Sequence, residues 1–187
     1  MYNSDYILVV DDNRDNLETV EDQLKQKGYN VRCVRDGKTA LMVANRNPPE
    51  LMLLDVIMPE MNGYEVCRQL KKNAKTAEFP IIFLSALHEM NYRIKGFDAG
   101  GVDYITKPIQ KEELYMRVRT HIDLHRSKIE LSKHSALLEQ RVLERTAELQ
   151  KSKARFQQLS DLTFEGIIMH KQGVVVDVNK SFCEMFG

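Results

Sequence analysis

Over the first 122 residues the chain alternates between short apolar runs and longer stretches with helical spacing. The runs at 7–10, 31–34, 52–54, 81–84 and 102–105 are short and strand-like; those at 7–10, 52–54 and 81–84 are apolar throughout, the pattern of strands buried on both faces of a sheet, while Arg32 and Asp103 interrupt the other two. Between them, Leu17, Val20 and Leu24 recur at helical intervals, as do Leu41 and Ala44, Val66 and Leu70, and Ile94 and Phe97. Gly28, Pro48-Pro49, Pro80 and Gly100-Gly101 mark the junctions. Five strand-helix repeats of this kind predict an α/β fold, a doubly wound five-stranded parallel sheet with helices on both faces.

Three of the runs stop on side chains that can do chemistry. The first ends in Asp11-Asp12, the third in Asp55 and the fourth in Ser85. Parallel strands deliver such residues to one rim, at their carboxyl ends. Two carboxylates about 4 Å apart repel by roughly 4 kcal/mol at an effective dielectric near 20, so three together call for a cation or a proton. An all-oxygen set with room for water and phosphate suits Mg²⁺, with Mn²⁺ as a substitute. Any one of these acids could instead cap the helix that follows it.

Composition narrows the partners. Lys plus Arg and Asp plus Glu are both 27, a net charge of zero that gives no support to direct nucleic-acid binding or a membrane-surface role. Cys33, Cys67 and Cys183 are odd in number and widely spaced, as expected of small apolar residues in a reducing compartment. No signal peptide opens the chain, and no apolar run approaches the roughly 20 residues that span a bilayer, so a cytoplasmic location is expected.

Four segments, each following a strand run, together carry a resemblance: Val9-Val10-Asp11-Asp12; Leu54-Asp55 with Met58-Pro59, Met61, Asn62 and Gly63; Leu84-Ser85-Ala86; and Asp103-Tyr104-Ile105-Thr106-Lys107-Pro108. In this order they resemble the receiver domain of two-component response regulators, a flavodoxin-like fold, over about two thirds of the chain. Gly96-Phe97-Asp98-Ala99-Gly100-Gly101 is similar too, with Gly101 where alanine is more usual. The resemblance implies that Asp55 accepts a phosphoryl group from a histidine kinase or phosphotransfer protein. It implies Mg²⁺ bound by Asp12 and Asp55, by Asp11 through water and by the Ile57 backbone carbonyl. Lys107, the Ser85 hydroxyl and the Ala86 N–H would hold the phosphoryl oxygens. Ser85 and Tyr104 would form the switch, the ring turning inward when the serine moves. Such a domain catalyses only its own phosphorylation and dephosphorylation, and any output enzyme, kinase or diguanylate cyclase, is expected outside this chain.

Residues 123–160 form a second segment. From 111 to about 160 the chain is rich in good helix formers, without Gly or Pro, and a continuous helix there would be roughly 75 Å long. Leu131, Leu138, Val142, Leu149, Phe156 and Leu159 follow a coiled-coil seam, interrupted by Ser135, Arg145 and Ser152. A second stripe, Ile122, Ile129, Ala136 and Leu143, runs beside it. A parallel homodimer of modest stability is expected. His121, His125 and His134 read as surface histidines, because His134 is followed by Ser135-Ala136 and not by the acidic residue of a kinase histidine box.

The third segment, 161–187, changes pattern at Phe164. A hairpin turned at Gln172-Gly173 and then a helix are predicted. This resembles the opening of a PAS sensor domain, of which only a fragment is present.

Two other classes fit parts of the chain. A phosphatase of the haloacid dehalogenase type also uses a strand-end aspartate with Mg²⁺, but wants an acid two residues later, where Ile57 stands. A constitutive dimerisation scaffold would need none of the acids.

Overall fold

A computed structural model describes residues 5–86, 90–161 and 165–186. The chain divides into two compact units, 1–129 and 130–187. The first contains strands β1 (Ile7–Val10), β2 (Val31–Val34), β3 (Leu51–Asp55), β4 (Ile81–Ser85) and β5 (Asp103–Thr106). Helices α1 (Arg14–Gln26), α2 (Gly37–Arg46), α3 (Gly63–Lys72) and α4 (Met90–Asp98) lie between them in sequence, and α5 (Lys111–Asp161) follows. The sheet is parallel in the order β2-β1-β3-β4-β5.

The two-residue strand period sorts the apolar runs into two cores. Leu8, Val10, Met52, Leu54, Ile81 and Phe83 face one side, against Ala40 and Ala44 of α2 and Val66 and Leu70 of α3. Ile7, Val9, Leu51, Leu53, Ile82, Leu84 and Ile105 face the other, against Leu17, Val20 and Leu24 of α1 and Leu114, Val118 and Ile122 of α5. Runs without a polar face are thus required by a sheet covered on both sides.

Several expectations are corrected. The fifth strand begins at Asp103, not at Val102, which is exposed and lies ahead of the ladder. Ile94 and Phe97 keep helical spacing, yet are 52% and 55% exposed. Gly96 and Ala99 turn inward instead, because a Cβ at Gly96 would come within 3.1 Å of the Phe83 ring. Ile122 belongs to the receiver-side core and not to a coiled-coil stripe. Nor are His121 and His125 surface residues; both are half-buried, and His121 Nε2 lies 2.9 Å from Asp103 Oδ2.

Asp103 gathers more partners. Arg117 Nη1 donates to both of its oxygens at 2.7 and 2.8 Å, and the Tyr104 N–H donates to Oδ1 at 2.7 Å. Burial pushes the Asp103 carboxyl upward, but the Arg117, His121 and Tyr104 bonds outweigh it and hold the carboxyl below its usual range. Further along α5, Arg126 forms a bidentate pair with Glu50, and Lys128 Nζ reaches Glu78 Oε2 at 2.7 Å. The helix therefore stays tied to the first unit for almost two turns beyond Ile122.

In the second unit, Leu131, Leu138, Val142, Leu143, Leu149, Phe156 and Leu159 are exposed along α5. Strands β6 (Ile168–Lys171) and β7 (Val174–Val178) form an antiparallel hairpin, followed by α6 (Lys180–Phe186). Gln172 and Gly173 both have positive φ, the demand of a two-residue turn that matches strand twist. Asn179 pins the hairpin to the helix: its Oδ1 accepts from Ile167 N and Phe182 N, and its Nδ2 donates to the Glu165 carbonyl. Phe164 and Gly187, at the limits of this fragment, lie outside the described residues.

Two outcomes follow for stability. A Cβ at Gly63 would stand 2.2 Å from the Asp55 carbonyl oxygen, so Gly63→Ala must push α3 off the end of β3. Denaturant unfolding is expected to show a loss of about 1–3 kcal/mol. Asp103→Asn is expected to cost about 1–2 kcal/mol at pH 7, the scale of partly exposed charged hydrogen bonds. A depressed folded pKa stabilises above the unfolded value and loses that effect as pH falls through the folded one. Urea titrations should therefore show the gap between Asp103→Asn and the parent closing below about pH 4.

Candidate functional site

In this sheet the chain runs from β1 outward to β2 and then returns to β3 on the other side of β1. The reversal leaves a crevice at the carboxyl ends of β1 and β3, where α/β folds bind ligands. Asp11 follows β1 directly, and Asp55 closes β3. Asp11, Asp12 and Asp55 each present a carboxylate oxygen within 4.8 Å of the others. Asp11 and Asp55 are buried and Asp12 is half-buried. None of the three caps a helix: the N-caps of α1, α2 and α3 are Asn13, Asp36 and Asn62.

Lys107 closes the group. It follows β5, and its Nζ lies 2.7 Å from Asp11 Oδ2 and 2.8 Å from Asp55 Oδ1. Its backbone N–H donates to the Ser85 carbonyl at 2.8 Å, which fixes the start of the β5–α5 loop against the end of β4. Burial pulls the Lys107 pKa downward, but the hydrogen bonds that its ammonium donates to Asp11 and Asp55 outweigh it and raise the pKa. Asp55 is raised as well: burial is the largest cause, Lys107 opposes it, and the charges of Asp11 and Asp12 add to it. One ammonium does not offset three carboxylates, so the donor set fits a hard divalent cation.

The remaining expected residues surround this group unevenly. Ser85 ends β4, is buried, and pairs in register with Thr106. Ala86 is the exposed residue after it. Ile57, two residues beyond Asp55, is exposed and apolar, where the phosphatase reading needs an acid. Tyr104 is buried in β5 with its ring 6.4 Å from Phe83, which in turn meets Tyr64 edge-on at 5.1 Å.

Three residues at the rim were not anticipated. Asn13 donates its backbone N–H to Asp11 Oδ1 at 3.0 Å, and Asn16 Nδ2 donates to Asp11 Oδ1 and Oδ2 at 3.2 and 3.1 Å. Arg35 Nη2 donates to the Asp12 carbonyl at 3.1 Å. Asn13 carried a usable signal, a polar cap shortly before the periodic Leu17. Asn16 carried none, because a polar residue in a first helical turn is unremarkable until its neighbour is known.

Comparison with known proteins agrees with this geometry. The family model "Response regulator receiver domain" matches residues 7–119. The Vibrio cholerae protein named "Probable cyclic di-GMP phosphodiesterase" is 42% identical over 143 residues, 76% of this chain and 32% of that protein. Response regulator PleD of Caulobacter vibrioides is 43% identical over 114 residues, 61% of this chain and 25% of PleD. The chain thus spans about a quarter to a third of the length of these two relatives. Among solved structures, the receiver domain of a signal transduction histidine kinase from Syntrophus aciditrophicus has a TM-score of 0.60 at 32% identity, covering 64% of this chain and 91% of that one. A Francisella response regulator receiver domain has a TM-score of 0.60 at 30% identity, covering 64% and 98%. With the match running from β1 into α5, over a reversal point that joins Asp11, Asp55 and Lys107, this chain belongs to the response regulator receiver domain family.

Proposed function

We propose that the chain is a phosphorylation-controlled switch in which Asp55 takes a phosphoryl group from a phosphohistidine on a histidine kinase or phosphotransfer protein. The observation that carries the reading is Lys107 bridging Asp11 and Asp55 within a carboxylate cluster at the sheet's reversal point. In the transfer, an Asp55 oxygen forms a P–O bond while the donor's N–P bond breaks in line, and the imidazole leaves with the electron pair. Burial leaves that oxygen poorly hydrated, which favours attack. Lys107 then exchanges a carboxylate for a phosphoryl oxygen, and the Ser85 hydroxyl and Ala86 N–H donate to the others.

Mg²⁺, or Mn²⁺ in its place, supplies neutralisation of the clustered negative charge when bound. Asp11 is the poorer direct ligand, since its oxygens already accept from Asn13, Asn16 and Lys107. That favours direct ligation by Asp12, Asp55 and the Ile57 carbonyl, with Asp11 acting through water. A phosphoryl dianion at this rim biases two packed states of the domain. With Tyr104 buried beside Phe83, a switch through its ring requires an outward-turned population in the unphosphorylated protein.

The exposed seam on α5 supports a parallel coiled-coil homodimer as the output route, because a lone helix with Leu131, Leu138 and Leu149 in water is marginal. The hairpin and α6 support the start of a PAS domain: Val174, Val175 and Val176 are exposed, and two strands alone bury too little. In this reading the signal passes through the helix to a sensor or output domain outside this chain.

Acetyl phosphate with Mg²⁺ should phosphorylate the protein once, and Asp55→Asn should abolish the reaction; rapid turnover of small phosphate esters would mean a phosphatase, and an unlabelled parent would mean a scaffold. In calorimetry, Mg²⁺ at about 100 times its Kd should stabilise the parent by about 2.7 kcal/mol, with a smaller effect on Asp55→Asn. Without metal, Asp55→Asn should be at least as stable as the parent at pH 7, because a raised carboxyl pKa means that the ionised group opposes folding. Sedimentation should show a dimer that Leu138→Glu combined with Leu149→Glu converts to monomer.

A further inference from the structure

The beginnings of α1 and α3 share a cap and then differ. In α3 the N-cap Asn62 accepts from Glu65 N, and the Glu65 carboxylate three residues on accepts the Asn62 N–H at 3.1 Å, a reciprocal capping box. In α1 the N-cap Asn13 accepts from Asp15 N and Asn16 N in the same way. Its own N–H, however, goes to Asp11 Oδ1 at 3.0 Å. Asp11 thus takes the place of the carboxylate that a capping box draws from the third helical position. That position holds Asn16, whose amide turns back and donates to both Asp11 oxygens at 3.2 and 3.1 Å. A glutamate there, the usual choice, would set a carboxylate against Asp11; only a donor is compatible.

Together with Lys107 Nζ at 2.7 Å, these bonds place two donors on each Asp11 oxygen. Lys107 is shared with Asp55 and is the donor that a phosphoryl group would draw away. Asn13 and Asn16 are the fixed ones, rooted in the first turn of a helix whose Leu17 and Val20 are buried. We infer that Asn16 is a positioning residue for the phosphoryl-transfer site, holding the Asp11 carboxylate in one orientation so that it presents a constant face to the bound cation and releases Lys107 to the incoming phosphoryl group. The inference rests on the reading of the site as a Mg²⁺-dependent phosphoryl acceptor. Asn16 touches neither substrate nor metal in this role and acts through Asp11.

The test uses the full chain and three proteins: the parent, Asn16→Leu, which keeps the shape and removes the donor, and Asn16→Gln, which returns a donor one methylene further out. Mg²⁺ affinity is measured by isothermal titration, the rate of phosphorylation by acetyl phosphate at saturating Mg²⁺, and thermal unfolding in metal-free buffer. Asn16→Leu should raise the Mg²⁺ Kd about tenfold and slow phosphorylation even at saturating metal, the scale on which loss of an outer-shell hydrogen bond weakens a metal site. Its metal-free melting temperature should stay close to the parent's, and Asn16→Gln should recover part of both losses. A parent that binds Mg²⁺ and becomes phosphorylated, with Asn16→Leu matching it in Kd and rate, overturns the role of Asn16 alone. Losses that track a lowered metal-free melting temperature, without recovery in Asn16→Gln, also overturn it, since they show a structural residue. A parent that neither binds Mg²⁺ nor accepts phosphate overturns this inference and the switch reading together.

Discussion

Three carboxylates share a space that one ammonium cannot neutralise, and the first unit is built around that excess. The β-sheet brings Asp11 and Asp55 together because adjacent parallel strands end in register, Val10 opposite Leu54. Nothing in the apolar core needs the acids; the core supplies their low-dielectric floor and raises the cost of their charge. Lys107 reaches in from the far strand and limits the repulsion to a level the fold tolerates. A cluster with this much uncompensated charge answers strongly to any group that changes the local charge.

Much of this was legible in the sequence, for physical reasons that differ between elements. Continuous apolar runs ending in Asp or Ser define doubly covered strands with polar tips, so the sheet and the placement of Asp11, Asp12, Asp55 and Ser85 could be read directly. Lys107 was readable only through its resemblance to a known segment, because a loop lysine has no periodicity to betray it. Ile94 and Phe97 misled because spacing reports a helix but not which of its faces is covered. There, Gly96 lies against the Phe83 ring, where a Cβ would be tight at 3.1 Å, and Ala99 is buried. His121 misled for a related reason: its partner Asp103 lies 18 residues away, on a strand edge whose neighbour appears only in three dimensions.

The second unit shows how little a sequence pattern says about what a face packs against. The helix and the turn at Gln172-Gly173 were predictable from local chemistry alone, from helix formers in one case and from the left-handed backbone in the other. The leucines of α5 and the valines of the hairpin are exposed, so their spacing reports an element and nothing about what faces it. Asn179 is the exception, a side chain whose three bonds organise the fragment internally and whose importance no spacing announced.

Glu50 and Asp55 stand at opposite ends of β3, about 17 Å apart at some 3.3 Å per residue. One holds Arg126, about four turns along the long helix, and the other lies in the acid pocket. The residues of β3 between them are fully buried between two packed layers, so displacing either end must disturb the packing on both faces of the sheet.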